Sequence, residues 1–435
     1  MTTTRTQVCE YIEENSDQLF ALLSDLVQQE SVTGNEGPVQ EVVIEKFESL
    51  GLSPDVWEPD VEELRGHPGF FETTSFAKYG YDGRPNVAAV VEGSGDGPSL
   101  AFSGHVDVVS PNPTSAWSYE PWGAEIEDGR MYGRGTADMK GGVASFIFAY
   151  QALSELDIDL AGDLILQTTI EEEDGGVGGL LSALERGYQP DAAIIPEPWM
   201  IPNVGIASAG VMYFRVTVPG KSAHAARGYK GVNAIGKACK IYQALDDLDK
   251  ERKARIEYAP ITNRDPDAAG NVTNLNVGVI EAGDWPSTVP GEAVIECRIG
   301  WPPGETREEV RAQVEAAVEA AVAGDDWLSA HEPTIEWFGW SADPHETSTD
   351  EEIVKFAKQN AESVTGRTGE FIGGDAGLDE RFYNLYYDIP AVTLGPTGEN
   401  IHGADEYVEL DSLVETAQAL ALTALDWCGT TTTDN

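Results

Sequence analysis

Basic residues are scarce in this chain: 27 lysines and arginines stand against 75 aspartates and glutamates, a formal net charge of -48 at pH 7. A surface of that sign repels phosphate and excludes nucleic-acid binding. No apolar run reaches the ~18–20 residues of a membrane span, which excludes a membrane partner of that kind. The opening MTTTRTQVCEYIEENSDQLF reads as an acidic amphipathic helix without the basic and apolar regions of a secretory signal, so the expected location is the cytoplasm. Cysteine is limited to Cys9, Cys239, Cys297 and Cys428, with no CxxC. That argues against a disulfide framework or a structural zinc and leaves buried free thiols as the expectation. Internal repeats are lacking, and low complexity is confined to the tail TTTTDN. The acids are spread along the chain rather than gathered in one stretch. Such a surface suits a cytosol with molar salt, where repulsion is screened to ~3 Å, and a halophilic protein is inferred over an ordinary acidic one.

The chain has 435 residues, 41% of them hydrophobic, enough for packed structure and too long for one simple core. Residues 5–29 carry apolar positions at helical spacing. A second helix runs to Leu50, and residues 59–84 form a polar insertion sprinkled with aromatics. VAAVVEG and SLAFSGHVDVV read as strands, 110–130 as a long loop, 141–156 as a helix, DLILQTTI as a strand and AAIIPEP as another. Nearly all-apolar strands alternating with helices predict an α/β domain with a mostly parallel central sheet. The pattern then changes to β-α-β-β-α-β, a ferredoxin-like order, before the α/β pattern resumes near 342. Residues 1–207 and 342–435 are therefore expected to form one domain, with 208–341 inserted into it.

Chemistry-bearing residues gather at the predicted strand ends. In GHVDVV, His105 and Asp107 point to one face of a strand, where the aspartate could orient a metal-binding imidazole. Alone, the pair reads more readily as a structural or surface pair. Asp138 follows the Gly-rich GRGTA and precedes a helix, a place for a ligand carboxylate or for an ordinary N-cap. TTIEEEDGGVGG sets three glutamates between an apolar strand and a helix start. One could bind a metal and its neighbour act as general base, although an acidic loop is unremarkable in so acidic a protein. Glu197 ends the strand IIPEP, and His402 sits in GPTGENIHGADEYV.

The order HxD, Gly-Asp-Gly, Glu-Glu, Glu-Pro, His resembles the co-catalytic zinc aminoacylase and carboxypeptidase family, which includes acetylornithine deacetylase, succinyl-diaminopimelate desuccinylase and glutamate carboxypeptidase. The likeness covers nearly the whole chain. IEEEDGGVG and the HPGF…GRPNV insertion look most like the acetylornithine deacetylase branch. The resemblance implies a zinc-peptidase-like catalytic domain carrying an inserted dimerisation or lid domain. It further implies two zinc ions per subunit, with cobalt or manganese able to substitute. His105 and Glu197 would hold one metal, His402 and Glu173 the other, and Asp138 would bridge them. Asp107 would orient His105, Glu172 would be the general base, and the peptide after Asp138 would be cis. His224 of GKSAHAA would reach into the partner subunit's site of a homodimer, where the plainer reading is a surface histidine. Arg298 would hold a substrate carboxylate, unless it serves one of the many acids structurally. Gly374, Asp375 and Arg381 lie in GGDAGLDERF, where the family has a substrate-contacting glycine-rich loop. Gly374 and Arg381 would contact substrate, although the stretch departs from the family pattern by extra residues and leaves open which residue does so. Asn276 or Asn274 could reach across the dimer.

The activity so implied is hydrolysis of the amide of an N-acyl amino acid. A dipeptidase or carboxypeptidase of the same family is the alternative within hydrolases. A catalytically silent metal-binding scaffold is the alternative outside them. A calcium-binding protein is disfavoured, because no DxDxDG-type loop occurs.

Overall fold

The computed structural model describes residues 3–431. They divide into two compact units, one from residues 3–206, 346–372 and 378–431, the other from 207–345 and 373–377.

The first unit is built on a mixed, mostly parallel sheet. Seven of its strands run in the order Asp55–Trp57, Asn86–Val91, Leu164–Thr169, Leu100–His105, Ala192–Ile195, Ala391–Thr393, Val204–Ser208. Leu100–His105 pairs in parallel with Leu164–Thr169 and with Ala192–Ile195, and Ala391–Thr393 continues in parallel beside the latter. The flanking strands are antiparallel. Every residue of Leu100–His105, Leu164–Thr169 and Ala192–Ile195 is buried, as expected for strands covered on both faces. Helices Gly141–Glu155 and Leu410–Cys428 pack against one another and are almost wholly buried. Since the three central strands run the same way, their carboxyl ends share one edge. The loops that leave that edge carry the chemistry.

Two local readings differ from the sequence expectation. The single helix expected over 5–29 is two, Thr4–Glu14 and Ser16–Val27. Asn15 leaves helical geometry, and its Nδ2 donates to the Tyr11 carbonyl, satisfying the end of the first helix. The stretch expected as one long loop contains strands Glu125–Glu127 and Arg130–Tyr132. These join Tyr407–Glu409 and Gly398–Glu399 in a separate four-stranded sheet. The cysteines are all free, Cys297 and Cys428 buried but Cys239 exposed. Among the described residues no helix is long and apolar enough to cross a membrane.

The second unit follows Gly210–Pro219, Ala234–Arg255, Asn274–Ala282, Glu292–Trp301, Arg307–Ala323 and Thr334–Ala342, the β-α-β-β-α-β order of a ferredoxin-like fold. Its sheet order places Asn274–Ala282 and Thr334–Ala342 at the edges. Burial alternates strictly along Met212–Pro219, so one face packs Phe214 and Val216 with Ile241, Leu245, Val310 and Val314 from the two helices. Thr306 and Glu309 close a capping box at the start of Arg307–Ala323.

Asp325 caps the short helix Asp326–Ala330 by accepting from the Trp327 and Leu328 amides, 3.0 and 3.1 Å. It also receives Lys237 Nζ at 2.6 Å and Lys240 Nζ at 2.7 Å. The hydrogen bond from Lys237, then that from Lys240, holds its carboxyl well below the usual carboxylate range. A depressed value in the folded chain contributes stability above the unfolded value near ~3.9, and that stability disappears as pH falls through the folded value. Asparagine keeps the cap but loses the ion pairs. Asp325→Asn is expected to lower Tm by roughly 2–4 °C at neutral pH, with the gap closing below about pH 4. Thermal unfolding at a series of pH values checks this; a gap that ignores pH would place the effect elsewhere.

Candidate metal centre

Five side chains from five separate segments of the chain meet at the carboxyl edge of the first unit's sheet. His105 ends its strand, and Asp138 lies in the turn before Gly141–Glu155. Glu173 follows Leu164–Thr169, Glu197 follows Ala192–Ile195, and His402 comes after Gly398–Glu399. Asp138 sends its two oxygens in different directions. Oδ1 lies 3.2 Å from His105 Nε2 and Oδ2 lies 3.3 Å from His402 Nε2. His105 Nε2 also faces Glu197 Oε1 at 3.4 Å and Glu172 Oε2 at 3.9 Å. His402 Nε2 faces Glu173 Oε2 at 3.0 Å. Ligand atoms of His105, Asp138 and Glu173 lie within 4.8 Å of one another, as do those of His105, Glu172 and Glu197. The Asp138–Met139 peptide is cis.

Electrostatically the cluster is built for cations. Burial pushes the Glu197 carboxyl up to about 8 and Glu172 well above the carboxylate range. Hydrogen bonds to Asp138 and then Glu173 push His402 up to about 10. Without a cation, buried acids of this density must share protons with the imidazoles. Glu172 Oε1 and Glu173 Oε1 are buried with no hydrogen-bond partner, an arrangement that costs free energy unless a positive charge fills it. Imidazole nitrogens and carboxylate oxygens are the donor set of a divalent-metal pair, and the residues present fit one.

The surroundings fix these groups. His105 Nδ1 sits 2.8 Å from the Asp107 backbone carbonyl, closer than the 3.5 Å to the Asp107 carboxylate. That carboxylate accepts from the amides of Glu172 at 3.1 Å and Glu173 at 3.3 Å, and from Thr33 Oγ1 at 2.9 Å. Asp107 thus fastens the glutamate turn as well as adjoining the histidine. Glu171 takes a left-handed conformation, φ 66°. Its buried carboxylate accepts from Thr73 Oγ1, Ser75 Oγ, Tyr81 OH and the Gly178 amide at 2.6–2.9 Å. The first three belong to the 59–84 insertion. Arg84 of that insertion pairs with buried Glu36 at 2.6 Å. Arg381 is 2% exposed and donates to the Gly175 and Leu378 carbonyls, so its guanidinium braces the same turn from below.

The remaining residues singled out from sequence lie in the second unit. His224 is exposed on the short strand Ala223–His224, with Nδ1 accepting from the Ala226 amide. Asn276, Arg298 and Tyr213 occupy neighbouring strands in register. Arg298 donates to Asn274 Oδ1. Gly374 donates its amide to the Ala207 carbonyl, and Asp375 lies 3.5 Å from Arg264. Sequence reasoning passed over Arg134, Glu406, Lys140 and Arg84, all buried cations or acids around the centre. Their one available signal was rarity: an arginine in the Gly-rich turn beside Asp138 stands out where bases are so few.

The chain is 27% identical over 442 residues, 96% of each protein, to N-formyl-4-amino-5-aminomethyl-2-methylpyrimidine deformylase of Halalkalibacterium halodurans. It is equally 27% identical over 441 residues, again 96% of each, to the Bacillus subtilis protein of that name. Among solved structures, a tripeptidase from Staphylococcus aureus matches with TM-score 0.71 at 24% identity, over 94% of this chain and 98% of that one. An M20 family metallo-carboxypeptidase from Sulfolobus solfataricus matches with TM-score 0.72 at 18% identity, over 93% and 98%. These two structures show the shared fold. Residues 101–426, well over half of the chain, match Peptidase family M20/M25/M40, and the chain belongs to that family of hydrolases acting on amide bonds.

Proposed function

We propose that this M20 hydrolase cleaves the amide bond of a small N-acylated amine, with Glu172 as general base beside two divalent cations. One observation carries the reading. Asp138 turns a separate oxygen to each imidazole, while the neighbouring Glu172 keeps a buried oxygen unpartnered. His105 and Glu197 would hold one cation, His402 and Glu173 the second, with Asp138 between them. Zinc is the proposed metal, and cobalt or manganese suits the same oxygen-rich donors. Such a pair supplies positive charge that polarises a carbonyl and acidifies nearby water. Asp107 holds the Glu172 and Glu173 amides so that the base stays aimed. Glu172 takes a proton from the attacking water and delivers it to the departing nitrogen.

For the substrate, an N-acyl amino acid of the acetylornithine or succinyl-diaminopimelate type is favoured by half-buried Arg298, whose guanidinium can hold a carboxylate through paired hydrogen bonds. The formamide of an aminomethylpyrimidine is the second reading, favoured by the names of the curated relatives. A homodimer formed by the second unit, with His224 completing the partner's site, is supported by exposed His224 and by exposed Val279 and Ile280 on the edge strand. A halophilic, cytoplasmic setting is supported by the acid excess.

The test is a panel of N-acetyl and N-succinyl amino acids, aromatic formamides and dipeptides in about molar KCl. Chelation is expected to lower hydrolysis at least ~100-fold, and added zinc or cobalt to restore it. Turnover of dipeptides alone would move the assignment to a peptidase. Turnover unaffected by chelation would remove the cations from the scheme.

A further inference from the structure

Arg134 and Glu406 are 2% and 0% exposed. Glu406 Oε1 accepts from the Ala137 amide at 3.0 Å and from the Asp138 amide at 3.1 Å. Its other oxygen accepts from Arg134 Nη1. Arg134 Nη2 donates to the carbonyl of Gly403, the residue after His402, at 2.8 Å. The Gly133 amide donates back to the Glu406 carbonyl at 2.9 Å. One carboxylate and one guanidinium thus tie the turn that carries Asp138 to the loop that carries His402.

The His402 loop needs that tie. Asn400, His402 and Asp405 all have left-handed backbones, φ 59°, 62° and 56°, conformations that residues with a Cβ adopt only when their surroundings impose them. Asp405 Oδ1 accepts from the Ser118 amide at 2.6 Å, and the Trp117 ring lies 5.2 Å from the Arg134 guanidinium carbon. A side chain at Gly398 would meet the Ala137 Cβ at 2.5 Å, so the strand leading to His402 lies directly on the Asp138 turn.

We infer that Arg134 and Glu406 form a strut setting the separation of Asp138 and His402, and that Glu406 is a positioning residue for the cation that those two side chains would hold. The inference rests on the di-metal reading. Outer partners that orient metal ligands affect affinity about 10–100-fold when removed. Neither residue touches an imidazole, so their effect must pass through backbone placement.

The experiment titrates zinc into chelator-treated wild type, Glu406→Gln, Glu406→Ala and Arg134→Lys in molar KCl, counting zinc per chain by mass spectrometry. Cobalt absorption spectra and metal-free Tm accompany it. Wild type is expected to take up two zinc ions. Glu406→Gln is expected to weaken uptake of one of them about tenfold and Glu406→Ala up to about 100-fold, with an altered cobalt spectrum and a fall in kcat larger than the change in KM. Glu406→Gln, nearly the same shape, serves if the alanine variant does not fold. Arg134→Lys is expected to fall between wild type and Glu406→Ala. Zinc titrations unchanged by these substitutions would overturn the strut, even if Tm drops. A wild type that binds no divalent cation would instead overturn the di-metal reading, and the strut with it.

Discussion

Glutamine at position 172 is expected to lower kcat about 10³-fold while the protein still binds two zinc ions. Glu172 follows the left-handed Glu171 and is held by its own amide on Asp107. The residue is 7% exposed, and Oε2 lies 3.9 Å from His105 Nε2. Glutamine fills the same space and leaves those contacts, but its amide cannot accept and return a proton. A general base contributes roughly 10²–10⁴-fold, so the loss sits in that range. The neighbouring Glu173 faces His402 and would keep its cation, so metal content separates loss of the base from loss of the site. Steady-state kinetics on the best panel substrate, with zinc counted in the same preparation, makes the measurement. Equal rates for wild type and Glu172→Gln would remove Glu172 from the chemistry.

Salt is expected to give the second large effect. With a net charge of -48, the chain repels itself wherever screening is weak. The Debye length is ~3 Å at 1 M salt and ~10 Å at 0.1 M, so dilution extends repulsion from nearest neighbours to whole surface patches. Native pairs are too few to compensate, and several are exposed, such as Lys250 with Asp246. The buried pairs Arg84–Glu36 and Arg134–Glu406 are shielded from salt and will persist as long as the fold does. A penalty of a few kcal/mol corresponds to a fall in Tm of roughly 3–5 °C on going from about 1 M to about 0.1 M KCl, with activity lost in parallel. Calorimetry across a KCl series with zinc held constant checks this. A Tm that does not respond to salt would refute the halophilic inference and leave the charge as mere composition.

The sequence disclosed the centre more readily than its supports, for a physical reason. The candidate ligands at strand ends follow long apolar runs, and both the runs and the residues that follow them are visible in the sequence. The sheet edge was legible because Leu100–His105, Leu164–Thr169 and Ala192–Ile195 are each wholly buried. The break at Asn15 was not, since apolar spacing continues across it and only a side-chain hydrogen bond marks it. Strands Glu125–Glu127 and Gly398–Glu399 are too short to show alternation. Asp107 was assigned to the histidine from its spacing, yet its carboxylate mostly serves amides 65 and 66 residues away, contacts that no local pattern encodes. Glu406 and Arg134 escaped notice for the same reason, standing 272 positions apart.

The hydroxyls that converge on Glu171 bear on how this scaffold could be shortened. Thr73, Ser75 and Tyr81 look dispensable in a polar, loosely patterned excursion of the chain, the sort of segment a protein engineer removes first. Deleting it would strip the Glu171 carboxylate of three of its four hydrogen-bond donors, and of the Arg84 guanidinium 3.7 Å away, one residue before the proposed base. A minimised variant would therefore have to neutralise position 171 in the same step as the deletion.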